Sequence, residues 1–283
     1  MRQAFKNIWK YVKSEKVIIL TLLVFLLIGL LCWLCFSQTE DFGLNFFTEM
    51  LGVAVTIFVI DRQIQKREKL RSIPQKLAAY EDVRLYTSRY ISFWTSTYSE
   101  SVPEEEPDTI ETFFSEEGMT KILYYLHMDS EPNVTPLTKW WDWTVHNAKE
   151  FKDNGEKILD RYSHNLDPVA FAYVHQLTES IFNNVLLMIP SIRQSDIQMK
   201  CPRIKVLGSY SPHPPKEDYE AILGLVKWCD ETYIALKKYS NSIKKVRGYT
   251  IVKNRKMPPK CMIPLEILEQ QQKELSEFRQ RNK

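Results

Sequence analysis

Glycine is scarce in this sequence, with 8 glycines among 283 residues. Loops that wrap a phosphate group depend on glycine, and the motifs G-x-x-x-x-G-K-[ST], G-x-G-x-x-G, H-E-x-x-H and G-x-S-x-G do not occur. The five histidines, at positions 127, 146, 164, 175 and 213, share no metal-ligand spacing. His164 with Asp167, and His175 with Glu179, are spaced to pair across a helical turn, as helix caps and exposed polar neighbours do. The sequence therefore predicts a protein that is not an enzyme, with no cofactor, no metal and no evident small-molecule substrate.

Charged residues are missing from two long runs near the N-terminus. Residues 17–36 contain no charge over 20 positions, and as a helix they would span about 30 Å, the thickness of a hydrocarbon core. Residues 42–60 contain a single acid, Glu49. The sequence therefore predicts a transmembrane hairpin over residues 17–60. A cleaved signal peptide is the alternative for the first run, but the run is too long, lacks a small-residue cleavage site and is followed at once by the second.

Basic residues flank this hairpin on both sides. Five precede it and five follow it within residues 62–71, whereas the turn at residues 37–41 carries two acids and no base. By the positive-inside rule, we expect both termini to lie in the cytoplasm. Residues 1–16 place apolar side chains at helical spacing among lysines, which predicts an amphipathic helix at the membrane interface. A basic lead-in that only sets the orientation is the alternative.

Residues 61–283 follow the period of α-helices, so we expect a cytosolic helical domain and an all-α fold. Pro74 should interrupt the helix that leaves the membrane, Ser115 is a candidate N-cap, and a helix that opens at Pro168 should end at Pro190. Further helices are expected over residues 75–98, 136–164 and 216–243 and from residue 264 onward, with one short strand in residues 191–215.

Polar and small side chains form a stripe along one face of the second predicted span. The five positions lie at helical spacing: Asn45, Thr48, Glu49, Gly52 and Thr56. An ionisable group at this depth is costly when it faces lipid, so the stripe should face protein or water. A row of small residues every four positions also lets another helix approach closely. Two interpretations stay open: the stripe packs against the first span, or copies of the span assemble with their stripes inward.

Charge is segregated along the cytosolic part. Residues 100–117 contain eight acids and no base, whereas residues 237–260, the basic segment, contain nine bases and no acid. The nine bases are Lys237, Lys238, Lys244, Lys245, Arg247, Lys253, Arg255, Lys256 and Lys260. Such a block is commonly a solvated face. The functional alternative is a site for nucleic acid or for anionic lipid headgroups, with Tyr239 and Tyr249 as stacking surfaces and the acidic segment as a mask.

Three tryptophans, Trp140, Trp141 and Trp143, lie within four positions of one predicted helix. They cannot all face one core, so at least one should contact a neighbouring helix, a partner protein or a base. Packing between helices is the simplest of these interpretations.

The segment FFTEMLGVAVTIFVIDRQIQKREKLR resembles the second span of a broad group of uncharacterised bacterial inner-membrane proteins with two transmembrane spans. The matching residues are Gly52, Thr56, Asp61 and Arg62, where an aliphatic span ends in Asp-Arg and runs into a charged helix. The architecture also resembles the two-span effectors of anti-phage systems of the abortive-infection and retron types. This resemblance implies an antiviral toxin that damages the membrane when a sensor releases it. In a retron, that sensor would be a complex of reverse transcriptase with its DNA–RNA product.

Two hypotheses about function follow. In the first, the cytosolic domain senses or is held by a partner, and the hairpins form a homo-oligomer that permeabilises the lipid bilayer. In the alternative, the protein is a membrane-tethered binding or scaffold module that recruits nucleic acid or a protein to the bilayer.

Overall fold

The structure is a computed structural model that describes residues 16–35 and 40–246, together with residues 270, 273–274, 276–277 and 280–281. About three quarters of the described residues are helical and none lies in a strand, and the one isolated antiparallel bridge among them joins His127 and Val206. The prediction of an all-α fold is confirmed. Of the interfacial helix expected over residues 1–16, residues 1–15 lie outside the described part, as do residues 247–269, where the last helix is expected to begin.

The helices in chain order are α1 (Lys16–Cys35), α2 (Glu40–Ser101), α3 (Ile110–Phe113), α4 (Glu116–Tyr125), α5 (Trp140–Tyr162), α6 (Pro168–Thr178), α7 (Ile181–Met199) and α8 (Lys216–Leu236). A short 3-10 helix covers Leu207–Ser209. The chain divides into two compact units, Met1–Ser72 and Ile73–Lys283, which we call the first and the second unit.

In the first unit, α1 packs against the N-terminal part of α2. A Cβ at Gly43 would lie 2.3 Å from the backbone nitrogen of Trp33, so only glycine permits the two helices to approach this closely. Two ring contacts extend this interface: Trp33 stacks on Phe47 and Phe25 meets Phe46 edge-on, each with centroids 6.3 Å apart.

α2 is the helix of the described chain that is long and apolar enough to cross a membrane. Its 18-residue apolar window has a mean hydropathy of 1.8, and only 11% of this window is buried. A core helix of a soluble domain is mostly buried, so α2 differs from one in this respect. In α1 the shorter stretch Thr21–Trp33 is apolar. The second predicted span is therefore confirmed in length and composition, whereas the hairpin of two spans stays a prediction.

α2 continues through Pro74 without a break, so the predicted interruption at this residue is wrong. Proline has no N–H, so the carbonyl of Leu70, four residues earlier, lacks its helical hydrogen bond. Leu70 is exposed, and water can bind this carbonyl instead. The cost of proline is thereby reduced, and the helix persists.

In the second unit, the C-terminal part of α2 supplies one wall of the hydrophobic core. Along the helix predicted over residues 75–98, helical spacing places one set of side chains on a single face, and the structure buries all of them: Val83, Tyr86, Tyr90, Phe93, Trp94 and Thr97. Rings connect this wall to other helices, with centroid distances of 5.1 Å for Tyr90–Phe151 on α5 and 5.5 Å for Trp94–Phe182 on α7. Opposite this wall α5 packs against α6 and α7, and α6 packs against α8.

The predicted single helix from Pro168 to Pro190 is wrong, because the chain forms two helices here. α6 ends at Thr178, and the side chain of Ser180 caps α7 by accepting hydrogen bonds from the backbone N–H groups of Phe182 and Asn183. α7 then continues through Pro190 until Lys200, which adopts the left-handed conformation of a helix C-cap. Ser115 caps α4 as predicted, by accepting from the N–H of Gly118.

Two further helices are shorter than predicted. α5 begins at Trp140 rather than Pro136, and α8 ends at Leu236 rather than at residue 243. The strand expected in residues 191–215 is reduced to the bridge at Val206.

Candidate functional site

The polar stripe on α2 faces away from α1 in the described chain. Its five members, Asn45, Thr48, Glu49, Gly52 and Thr56, are all exposed. A Cβ at Gly52 would meet no described atom within 4 Å, in contrast to the crowded Gly43 on the other side of the helix. The Thr48 hydroxyl donates to the backbone carbonyls of Leu44 at 3.0 Å and of Asn45 at 2.9 Å. Of the two interpretations of the stripe, this placement favours contact with another molecule.

Around the stripe, α2 presents a large apolar surface. The exposed large hydrophobic residues in this stretch are Leu51, Val53, Val55, Ile57, Phe58, Val59 and Ile60. A continuous apolar surface of this kind is unfavourable in water and marks a site of contact with lipid or protein. α2 thus combines a surface suited to lipid with a polar stripe that is not.

The basic segment is described only as far as Val246. Lys237, Lys238, Lys244 and Lys245 lie within the described residues, whereas Arg247, Lys253, Arg255, Lys256 and Lys260 lie outside them, as does Tyr249. The Lys237 ammonium group donates to the carbonyl of Asn241 at 3.2 Å, and that of Lys238 lies 4.9 Å from the ring centre of Tyr239. Both interactions are local.

Lys244 and Lys245, unlike Lys237 and Lys238, make contacts with a distant part of the chain. The segment after α8 returns to α2 at this point. The Tyr80 hydroxyl donates to the carbonyl of Lys244 at 2.7 Å, and Arg84 Nη1 donates to the carbonyl of Lys245 at 3.4 Å. Ile243, which precedes both lysines, is buried in the core. Two lysines of the basic segment therefore lie beside two arginines of α2, although about 160 residues separate them in sequence.

These residues enclose an open groove of about 450 Å³, which we call the basic groove. Its described lining is Arg84, Leu85, Ser88, Arg89, Ser92, Lys244 and Lys245. Four of these seven side chains are basic and none is acidic. Sequence reasoning missed Arg84 and Arg89, because nothing in their helical neighbourhood distinguishes them from other surface charges.

A second groove, of about 440 Å³, continues from the first, since Arg89 and Ser92 line both. We call it the aromatic groove, and its further lining includes Phe93, Trp140, Trp143, Phe151, Asn133, Asn147, Glu100 and Glu150. Arg89 Nη1 lies 3.0 Å from Glu150 Oε1, and both of these side chains are largely exposed. The two grooves thus meet at an ion pair on the surface.

The tryptophan cluster is divided between the core and the aromatic groove. Trp140 and Trp141 are each 3% exposed, and the indole N–H of Trp141 donates to Asp129 at 2.7 Å. Trp143 is half-buried at the groove. Packing between helices therefore accounts for two of the three tryptophans, and the third contributes to a surface.

The acidic segment has partners other than the described part of the basic segment. Glu104 lies 2.8 Å from the Lys121 ammonium group, Glu106 accepts from the Ser99 hydroxyl, and Glu100 accepts from the backbone N–H of Asn133 at 2.7 Å. The described contacts thus attach this segment to its own surroundings and do not support a role as a mask.

No group of histidine, cysteine or acidic side chains among the described residues could hold a metal ion. The buried Asp218 accepts hydrogen bonds from Ser180 and, at 3.2 Å, from Gln176, and its burial raises its pKa. Burial also raises the pKa of the Cys229 thiol to about 12, so this cysteine is a poor nucleophile at neutral pH. Asp167, one partner of the suggested His164 pair, is the N-cap of α6.

No model of a known protein family matches the sequence, and comparison with curated proteins and with solved structures finds no similar protein.

Proposed function

We propose that the protein is a non-enzymatic effector of the bacterial inner membrane, whose hairpins associate through the polar stripe and permeabilise the bilayer. Both termini would be cytoplasmic, and the second unit would hold the effector inactive or receive the signal that activates it. Its place in an anti-phage system of the abortive-infection or retron type rests on the resemblance in architecture. In a retron, the partner would be the reverse transcriptase with its nucleic-acid product.

The observation that carries this proposal is the exposed stripe within an exposed apolar helix. At the depth of a membrane centre, a charged Glu49 that faces lipid would cost about 3 kcal/mol or more. Association of several copies with their stripes inward removes this cost, because the carboxyl group then faces protein or water. Gly52 has open space around it, so a second helix could approach its backbone closely. The stripe therefore supplies both the driving force and the contact surface for a homo-oligomer.

The proposal is tested by inducible expression in bacteria that carry a membrane-potential dye, followed by dye release from liposomes that contain the purified protein. We expect the parent protein to depolarise the cells once it is activated. Glu49→Leu and Gly52→Leu should lose this effect. The first removes the carboxylate whose exposure to lipid favours association, and the second prevents a neighbouring helix from approaching the backbone closely. Cross-linking in membranes should show multimers for the parent protein and none for these two variants.

Ile57→Leu is the matched control, since this residue is exposed on the same helix, lies on a face away from the stripe, and the change keeps its apolar character. This variant should depolarise cells as the parent does. Cells that stay polarised under every trigger, or stripe variants as toxic as the parent, would contradict the proposal.

The basic groove favours a second candidate, a membrane-tethered module that recruits nucleic acid without opening the bilayer. Lys and Arg contacts to phosphate give an affinity that falls steeply with salt. Binding of labelled single-stranded DNA to the full chain in detergent, measured across a salt series, distinguishes the two candidates. A tether would show salt-dependent binding with intact membrane potential.

A further inference from the structure

We propose that the basic groove and the aromatic groove together form a binding site for a nucleotide, with its phosphates in the basic groove and its base in the aromatic groove. The role of this ligand as the signal that the second unit receives rests on the proposed function. Its binding does not depend on permeabilisation of the bilayer. A small-molecule ligand was not expected from the sequence.

The phosphate end of the site is defined by its positive charge. Arg84, Arg89, Lys244 and Lys245 converge on one concave surface whose described lining holds no acid. Arg84 is already held by Glu81, at 2.9 Å from its Nε, and by the carbonyl of Lys245. It therefore forms a fixed wall of the groove, whereas both lysine side chains are exposed. Lysine ammonium groups bind phosphate as mobile point charges, and such a pair suits a chain of phosphates.

The base end of the site is the aromatic groove. The half-buried indole of Trp143 offers a stacking surface at the groove, beside the amide groups of Asn133 and Asn147. Stacking on an aromatic ring is available to every base, and amide and carboxylate groups can read the donors and acceptors on its edge. An aromatic surface with a few polar groups is the usual composition of a small-molecule site.

The acids determine the orientation of the ligand. Glu100 and Glu150 line the aromatic groove and not the basic groove. Two carboxylates would repel phosphates at that end, whereas they can accept hydrogen bonds from the amino groups of a base. Arg89 lies between the two ends and pairs with Glu150, so it is placed beside the sugar and the first phosphate.

The size of the site agrees with this ligand. The basic groove measures about 450 Å³ and the aromatic groove about 440 Å³, and both volumes lie within the range of pockets for small ligands. A base with its sugar would occupy one of them and the phosphates the other.

The test is equilibrium binding of radiolabelled ATP, GTP, CTP and UTP to the full chain in detergent micelles, with tripolyphosphate, the nucleosides, an oligo-dT strand and anionic-lipid vesicles as competitors. We expect at least one nucleotide to bind, and its nucleoside and tripolyphosphate to bind at least about tenfold more weakly. Lys244→Ala/Lys245→Ala should weaken nucleotide binding by about tenfold or more, and Trp143→Ala by about fivefold or more.

Lys237→Ala/Lys238→Ala is the matched control, because it removes the same charge from the same segment outside both grooves. It should change the affinity by less than about twofold. Near-UV circular dichroism checks that each variant is folded, and the exposed lysine pair provides a test even if Trp143→Ala does not fold.

Several results would overturn the inference: no binding of any nucleotide, tripolyphosphate binding as tightly as the nucleotide, or equal losses for the two lysine pairs. Displacement by oligo-dT or by vesicles without any binding of free nucleotides would replace it with a strand site or a lipid site. Nucleotide binding by the Glu49→Leu variant, measured alongside its dye release, separates this inference from the proposed function. Binding that persists while release is lost supports the site independently.

Discussion

The buried ion pair between Asp196 and Arg203 holds the last turn of α7 against the loop that follows it. Arg203 Nε lies 2.7 Å from Asp196 Oδ2, and Nη2 lies 3.2 Å from Oδ1. The two side chains are only 10% and 11% exposed. Arg203 also donates to the carbonyl of Ser209 at 2.7 Å, and its guanidinium lies 5.1 Å from the ring centre of Tyr210. The pair is therefore bidentate and joins two segments.

Asp196→Asn keeps the shape of the side chain but leaves the Arg203 charge buried without its carboxylate. Breaking a buried pair from one side costs about 3–5 kcal/mol. Because Arg203 keeps its contacts with Ser209 and Tyr210, we expect the lower end, about 3 kcal/mol. In the double variant Asp196→Asn/Arg203→Met no charge remains buried. Its loss of stability should therefore fall short of the sum of the single losses by about 1–3 kcal/mol.

The assay is thermal unfolding of the full chain in detergent, followed by near-UV circular dichroism, to which the tryptophans of the second unit contribute. For a domain of this size, 3 kcal/mol corresponds to a fall in Tm of about 6–12 °C. Arg161→Met is the control, because its ion pair with Asp82 lies on the surface, with Arg161 63% exposed, and should cost under about 1 kcal/mol. A melting temperature for Asp196→Asn that matches the control, or strictly additive losses in the double variant, would refute this reasoning.

Three further changes test the packing and the charges of the second unit. Gly155→Ala should lower the free energy of unfolding by about 1–3 kcal/mol in urea titrations, because the new Cβ would lie 2.0 Å from the Thr178 hydroxyl oxygen; an unchanged midpoint would show that α5 and α6 can separate at no cost. Burial raises the pKa of Asp218, so its contribution to stability is present below the unfolded value of about 4 and is lost as pH rises through the folded value. Asp218→Asn should therefore flatten the pH dependence above about pH 4, and a steeper dependence would contradict this sign. The hydrogen bond from Lys205 holds the pKa of Asp129 at about 2, so stability from this pair is present above the unfolded value and is lost as pH falls toward 2. Asp129→Asn should remove that step from an acid titration, and an unchanged acid limb would count against the pair.

Local patterns in the sequence determined the secondary structure and the character of each surface. The all-α fold, the inward face of α2 and the cap at Ser115 all follow from interactions between residues three or four positions apart. The apolar run that ends at Ile60 and the polar stripe within it are likewise readable from spacing alone. Length and hydropathy establish one membrane-length helix, but they cannot show which molecule covers the stripe, because that contact lies outside the chain.

The tertiary structure determined where helices continue and which distant segments lie side by side, and neither can be read from local patterns in the sequence. Pro74 and Pro190 were expected to end helices, yet each lies within one. Leu70, whose carbonyl lacks a partner because of Pro74, is exposed, and beyond Pro190 the pair of Asp196 with Arg203 fixes the last turn of α7 to the loop that follows. The sequence shows the basic segment as a run of charge. It does not show that this segment lies beside Arg84 and Arg89. That alignment depends on the chain returning to α2 after α8, and a contact across about 160 residues has no periodic signature in sequence.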